Sequence, residues 1–265
     1  MQSVRLEFSH IGRRTQLVRR RFSWPFHVGR QFHEPDAPGA AVVVLQSASG
    51  TLNTGDHLSV TLVLNDRAVA RVRGQGAPSV HRARDGRGVM EETAITVGHD
   101  AYLEHLPEPR VLFPGARFSQ VTTVELVGAG RALLTDGVIA LQGESGQGFD
   151  AYAGELVVRR DSELLVHEQV RTGDWSRAPG RIRSFTAFGQ ILLLAGPGER
   201  LPDFEREWSD RSRYLSSAAL PNRAGLLVRV AAIGGRQLRD SIDEVVTRCR
   251  ATGTMPVHGA ATTQS

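Results

Sequence analysis

Lysine is absent from the chain: all 32 basic residues are arginine, set against 28 carboxylates for a formal charge of +4. With three tyrosines and one cysteine, little titrates between histidine and arginine, so the small charge persists and a pI near 10.1 overstates the basicity. Such a balance is no argument for nucleic-acid binding. Arginine's planar fork suits carboxylates and hence an acidic protein partner, although codon bias in a GC-rich genome accounts for the missing lysine equally well. Cysteine is nearly absent too. Cys249 alone cannot form an intrachain disulfide, and no Cys-x-x-Cys exists to hold structural zinc, which together predict a cytoplasmic protein.

Long apolar runs are also missing. Ala40–Leu45 and Ile191–Ala195 are far too short to span a bilayer, and Arg5, Glu7 and His10 interrupt the first ten residues, so neither a membrane span nor a signal peptide is expected. The nine histidines contain no pair at i,i+2 or i,i+4, and neither a Gly-x-Ser-x-Gly elbow nor a dinucleotide fingerprint occurs. A non-enzyme with no tightly bound cofactor is the expectation. Glu91, Glu92, Glu104, Asp136 and Glu168 keep a paired-carboxylate hydrolase open only in principle.

What is present is strand periodicity. Leu58, Val60, Leu62 and Leu64 alternate with polar residues, as do Thr122, Val124 and Leu126, and Val42–Leu45 reads as a strand buried on both faces. Tyr102–Leu106 is a strand halted by Pro107 and Pro109, with a second short piece at Val111–Phe113 before the Pro114-Gly115 turn. Thr93–Val97 is expected to pair with Tyr102–Leu106 across Gly98-His99-Asp100, and residues 155–160 with 164–170 across Asp161-Ser162. Residues 185–195 and 225–232 complete the strands. Leu238, Ile242, Val245, Val246 and Cys249 form one stripe of a helix over 236–250; Asp203–Leu215 has helix-like composition, with Phe204, Trp208 and Leu215 roughly on one face. Ser49–Asp56 is a turn rather than a phosphate loop, because a strand and not a helix follows it and no lysine is present. Arg13, Arg14, Arg19, Arg20 and Arg21 beside Phe22 and Trp24 read as a solvated strand face, with single-stranded nucleic-acid binding the weaker alternative.

The run Leu103-Glu-x-Leu-Pro-x-x-x-Val-Leu-Phe-Pro-Gly-Ala116 resembles the core signature of the UreD/UreH urease accessory proteins, with His105 where that family usually has Trp. Further matches follow in order: Gly12, Thr15, Pro25, Arg30 and Phe32, then Gly50, Gly55 and Asp56, then Gly76, Ala77 and Arg82, and finally Asp136 and Glu168. Glu104, Leu106, Pro107, Phe113 and Gly115 carry the signature itself. Ser79, His81, Gln147 and Gln169 depart from it, and the family's closing Pro-Arg-Ile-Trp is missing.

The resemblance implies a mainly β protein, an elongated stacked-sheet or β-solenoid-like body with two α-helices near the C-terminus. It implies one domain over 1–265 with a frayed tail at 255–265. It further implies a scaffold in urease maturation that binds a UreF-type helical protein, a UreG-type GTPase and urease apoprotein, with no nucleic acid and no membrane. The family is thought to pass nickel through an internal channel. Asp136 and Glu168, expected near strand ends, are the residues assigned here to an ion path for nickel in transit. Should folding instead assemble a histidine cluster, His81 and His105 are its first members. A β-rich binding module, or a degenerate relative no longer serving urease, remains the alternative that the departures leave open.

Overall fold

The computed structural model describes residues 2–144, 146–173, 184–221 and 224–251. Two stacked sheets make up the body. The first runs in spatial order β16 (Glu163–Thr172), β15 (Ala151–Arg160), β13 (Arg117–Leu126), β10 (Val89–Val97), β7 (His57–Leu64), β1 (Gln2–Ile11) and β2 (Arg14–Phe22). The second runs β18 (Glu207–Ser209), β19 (Arg213–Ala219), β20 (Gly225–Ala232), β17 (Ala187–Leu194), β14 (Arg131–Ala140), β11 (Tyr102–Leu106), β8 (Val69–Gln75), β5 (Ala37–Ser47) and β3 (Phe26–Val28). Short pieces β4 (Phe32–Glu34), β6 (Thr51–Leu52), β9 (Ser79–Val80) and β12 (Arg110–Leu112) trim the second sheet.

From β7 to β15 the chain alternates between sheets, so each turn adds one parallel strand to each in a solenoid-like coil. Here β1, β7, β10, β13 and β15 are parallel in the first sheet, and β5, β8, β11 and β14 in the second. Hence β10 and β11, expected to pair with each other, lie in different sheets: β10 pairs β7 and β13, and β11 pairs β8 and β14. Alternation marks the inward face of both strands but does not name a neighbour, and a four-residue connection serves a solenoid corner as readily as a hairpin. The expected β15–β16 hairpin does form, with Asp161 and Ser162 at positive φ in its turn.

The proline corner is built as its chemistry demands. Pro107 and Pro109 end the β11 ladder, and β12 then pairs β14 further along. The corner lies directly on Gly74, where a Cβ would stand 2.5 Å from the Glu108 amide nitrogen. Only glycine admits that approach.

One helix, α1 (Gly235–Ala251), is present among the described residues, where two were expected. Where the second helix was expected, over residues 203–215, the chain instead forms the β18–β19 hairpin over residues 207–219, with Trp208 opposite Leu215. Asp210 accepts the amides of Ser212 (2.6 Å) and Arg213 (2.9 Å), and β19 satisfies the free edge of β20. Three apolar residues are too few to hold a helix against that backbone demand. Leu238, Val245, Val246 and Cys249 of α1 pack on the outer face of the second sheet against Ile191, Leu193, Val228 and Val230, each such side chain contributing about 1.5–3 kcal/mol. No helix among the described residues is long and apolar enough to cross a membrane. The tail at 255–265 lies outside the described residues.

Candidate functional site

Parallel, in-register strands stack like residues in rungs, and the inward rungs change character along the strands. Toward the C-terminal ends of β10, β13 and β15 they are apolar: Ile95 and Val97, Val124 and Leu126, and Val158 pack against Leu103, Ala132 and Leu134 in one buried cluster. Two rungs nearer the N-terminal ends are polar, with the apolar rung of Val89, Phe118 and Tyr152 beyond them. Glu91, Gln120 and Gly154 share one rung, and Thr93, Thr122, Leu156 and Glu168 the next. Across the gap, Asp136, Gln190, Arg229 and Ser216 form a single rung of β14, β17, β20 and β19. The sheets do not close over these groups. They enclose a cavity of about 1360 Å³ instead.

Asp136 and Glu168 both line this cavity, although each lies mid-strand and not near a strand's end. Asp136 accepts hydrogen bonds from the Gln120 side-chain amide and from the Gly137 backbone amide (2.8 Å). Burial raises its carboxyl above the ordinary value, opposed by Arg110 and the Gln120 contact. Glu168 spans the two sheets to Arg229 at 2.6 Å; Arg229 is 57% exposed at the cavity's open side. Gln120 also donates to the Tyr152 hydroxyl (2.9 Å), and a Cβ on Gly154 would come within 2.9 Å of that oxygen. Burial pushes the Tyr152 hydroxyl well up, with Asp136, Glu168 and Glu91 adding to it.

Sequence reasoning missed the inner end of the cavity. Arg110 lies against Glu91 as a fork, Nε to Oε2 at 2.9 Å and Nη2 to Oε1 at 2.6 Å, while its Nη1 donates to the Glu108 carbonyl at 2.5 Å. Burial works against that guanidinium's charge, but Glu91 outweighs it and holds Arg110 firmly protonated. His105 stands beside the pair, 9% exposed, its imidazole driven down to about 4 by burial against the opposing pull of Glu91. A legible signal existed for part of this site. Gln120 and Thr122 interrupt an otherwise apolar inward phase of β13, and Gln190 does the same in β17, between Phe188 and Leu192.

The family-matching residues divide between scaffold and cavity. Asp56 accepts the Asn53 amide (2.8 Å), and Gly55 and Gly76 hold turn φ values of +83° and +82°. Arg82 bridges Ala116 through the backbone, with its side chain over Gly115, and Phe113 stacks on His81 at 4.8 Å. That stack occupies the His81 ring; among the described residues, no three His, Cys, Asp or Glu side chains converge to hold a metal ion. Pro107 lines the cavity, whereas Leu106 packs toward α1. Glu104 also faces away from the cavity. It is fully buried, joined to Arg71 (3.2 Å) and clamped by Arg250 of α1.

The arginine strip lies on β2, the edge of the first sheet, where Arg19 pairs with Glu7 (3.2 Å) and Arg20 donates to the Val28 and Gly29 carbonyls. Ile11, Phe22 and Trp24 are exposed nearby. Partners within the chain take up part of the strip, as expected of a solvated strand face.

The family model for the UreD urease accessory protein matches residues 1–260. The urease accessory protein UreD 2 of Bradyrhizobium sp. strain BTAi1 is 34% identical over 260 residues, covering 92% of this chain and 88% of that protein. The protein of the same name in Bradyrhizobium sp. strain ORS 278 is 36% identical over 256 residues, with the same coverage. UreD of Mycolicibacterium smegmatis is 33% identical over 234 residues, covering 88% of this chain and 85% of that protein.

Proposed function

Since the chain belongs to the UreD family of urease accessory proteins, we propose that it acts as a non-catalytic scaffold in maturation of the urease nickel centre, docking a UreF-type helical protein, a UreG-type GTPase and urease apoprotein. Nickel crosses its interior in transit, and Asp136 and Glu168 line the path. The observation that carries this reading is the cavity of about 1360 Å³ between the sheets, whose largely apolar wall carries five carboxylates, Asp136 and Glu168 among them, beside three arginines, where a mainly β protein ordinarily buries apolar side chains alone. A carboxylate there costs several kcal/mol unless hydrogen-bonded, paired or hydrated, and both acids carry such support.

Nickel favours imidazole and mixed nitrogen–oxygen ligands, and a conduit must not hold it tightly. Separated carboxylates meet that need better than a closed set of ligands. The test is D136N/E168Q, which keeps volume and one acceptor oxygen at each position while removing charge. Folding and partner pull-down should be intact, with urease activation lowered at limiting nickel and partly restored by excess. Unchanged activation removes both residues from the path. Lost pull-down assigns them a structural part instead.

A further inference from the structure

The large cavity ends in a partition that it shares with a second space of about 50 Å³ under Gly74 and Pro78; Glu91, His105, Pro107 and Arg110 line both. Glu91 and Arg110 are the two sides of the fork described above, with side chains 10% and 14% exposed. His105 projects from the opposite sheet into the same partition. Its ring nitrogens take no hydrogen bond among the described residues, and it is 9% exposed. A buried imidazole ordinarily finds a donor or acceptor. Here it faces open space beside a carboxylate whose two oxygens are both engaged by a tethered cation.

We propose that Glu91 and His105 form a divalent-cation site that Arg110 masks. The guanidinium is the resident cation: it satisfies Glu91 while no metal is present and repels an ion approaching from the large cavity. Displacing it frees two carboxylate oxygens next to an imidazole lone pair, a mixed oxygen–nitrogen set suited to nickel, cobalt or zinc, with water completing the shell. The imidazole is unprotonated at neutral pH and ready to ligate. Because the mask lies on the wall between two chambers, it also sets whether an ion can pass. The site stands on this geometry; its use in ion passage rests on the maturation reading above.

The experiment is titration of the full chain with nickel chloride by calorimetry, comparing wild type, R110Q and R110K. Removing the mask should tighten binding by about ten-fold or more in R110Q, in the range that outer-sphere groups set for metal sites. R110K keeps a charge for Glu91 and so protects folding, but it lacks the fork and should give a smaller gain. Adding H105A or E91Q to either variant should abolish the increment. No gain in R110K, or a gain that survives H105A, overturns the site. If R110Q folds poorly, R110K with and without H105A decides the matter. A nickel response that depends on His105, together with unchanged urease activation, would keep the site and sink its role in transit; the reverse outcome would sink the site alone.

Discussion

Replacing Glu104 by glutamine should destabilise the protein without touching nickel handling. The carboxylate is 0% exposed and lies between two guanidinium groups, Arg71 Nε at 3.2 Å and Arg250 Nε at 3.0 Å, with the Tyr102 hydroxyl 3.4 Å away. Breaking a buried ion pair costs about 3–5 kcal/mol, chiefly because the partner stays buried and uncompensated. Arg71 retains Glu34 and Asp36 (2.9 Å), and the Arg250 side chain, 24% exposed, can recover water. The lower end therefore applies, about 3 kcal/mol, which for a chain of this size lowers the melting temperature by roughly 6–12 °C. The assay is thermal and urea denaturation of wild type, E104Q, R250M and the double variant. Because Glu104 and Arg250 act together, the double variant should lose less than the sum of the singles, with coupling of about 1–3 kcal/mol. A loss below about 1 kcal/mol for E104Q, or strict additivity, would refute the view that this clamp fastens α1 to the sheet.

His105 provides a pH test. Its folded-state value of about 4 lies below the unfolded 6.5, so the folded state binds fewer protons between the two. Stability is then complete above about pH 6.5 and falls as pH drops toward 4, by about 3 kcal/mol for so buried a ring. H105Q should flatten that acid limb in denaturation midpoints; an unchanged limb would contradict the assignment. Asp136 has the opposite sign: its raised value means stability declines as pH climbs through the folded-state value, so D136N should be more stable than wild type at pH 7, with the gain shrinking as pH falls toward the usual carboxylate range. Melting curves at pH 7 and near pH 4, about the unfolded carboxylate value, check it, and equal gains at both would count against it. Exposed Ile11, Phe22 and Trp24 at the β2 edge should make the isolated chain prone to association. Co-expression with a UreF-type partner should raise soluble yield clearly, and a monodisperse monomer obtained equally well without it would oppose the scaffold reading.

Strand and helix periodicity determined a good deal by itself. Leu58–Leu64 announced the inward face of β7, Asp161-Ser162 the β15–β16 turn, the stripe from Leu238 to Cys249 the helix α1, and Leu103–Ala116 the family. These are local properties: side-chain period, backbone permission and residue order are written along the chain. Which strand neighbours which is not. Thr93–Val97 and Tyr102–Leu106 looked like a hairpin, but their partners lie more than twenty residues away in sequence, and only the coil of the whole chain chooses them. The same holds for residues 203–215, whose few apolar side chains yielded to the open edge of β20. The cavity was equally out of reach. Asp136 and Glu168 could be picked out one at a time, but their common wall, the Arg110 fork on Glu91 and the bare imidazole of His105 exist only where the two sheets face each other. Glu104, one residue from His105, points the opposite way, because successive side chains of a strand alternate between faces and only tertiary packing decides which face is the cavity and which is the helix.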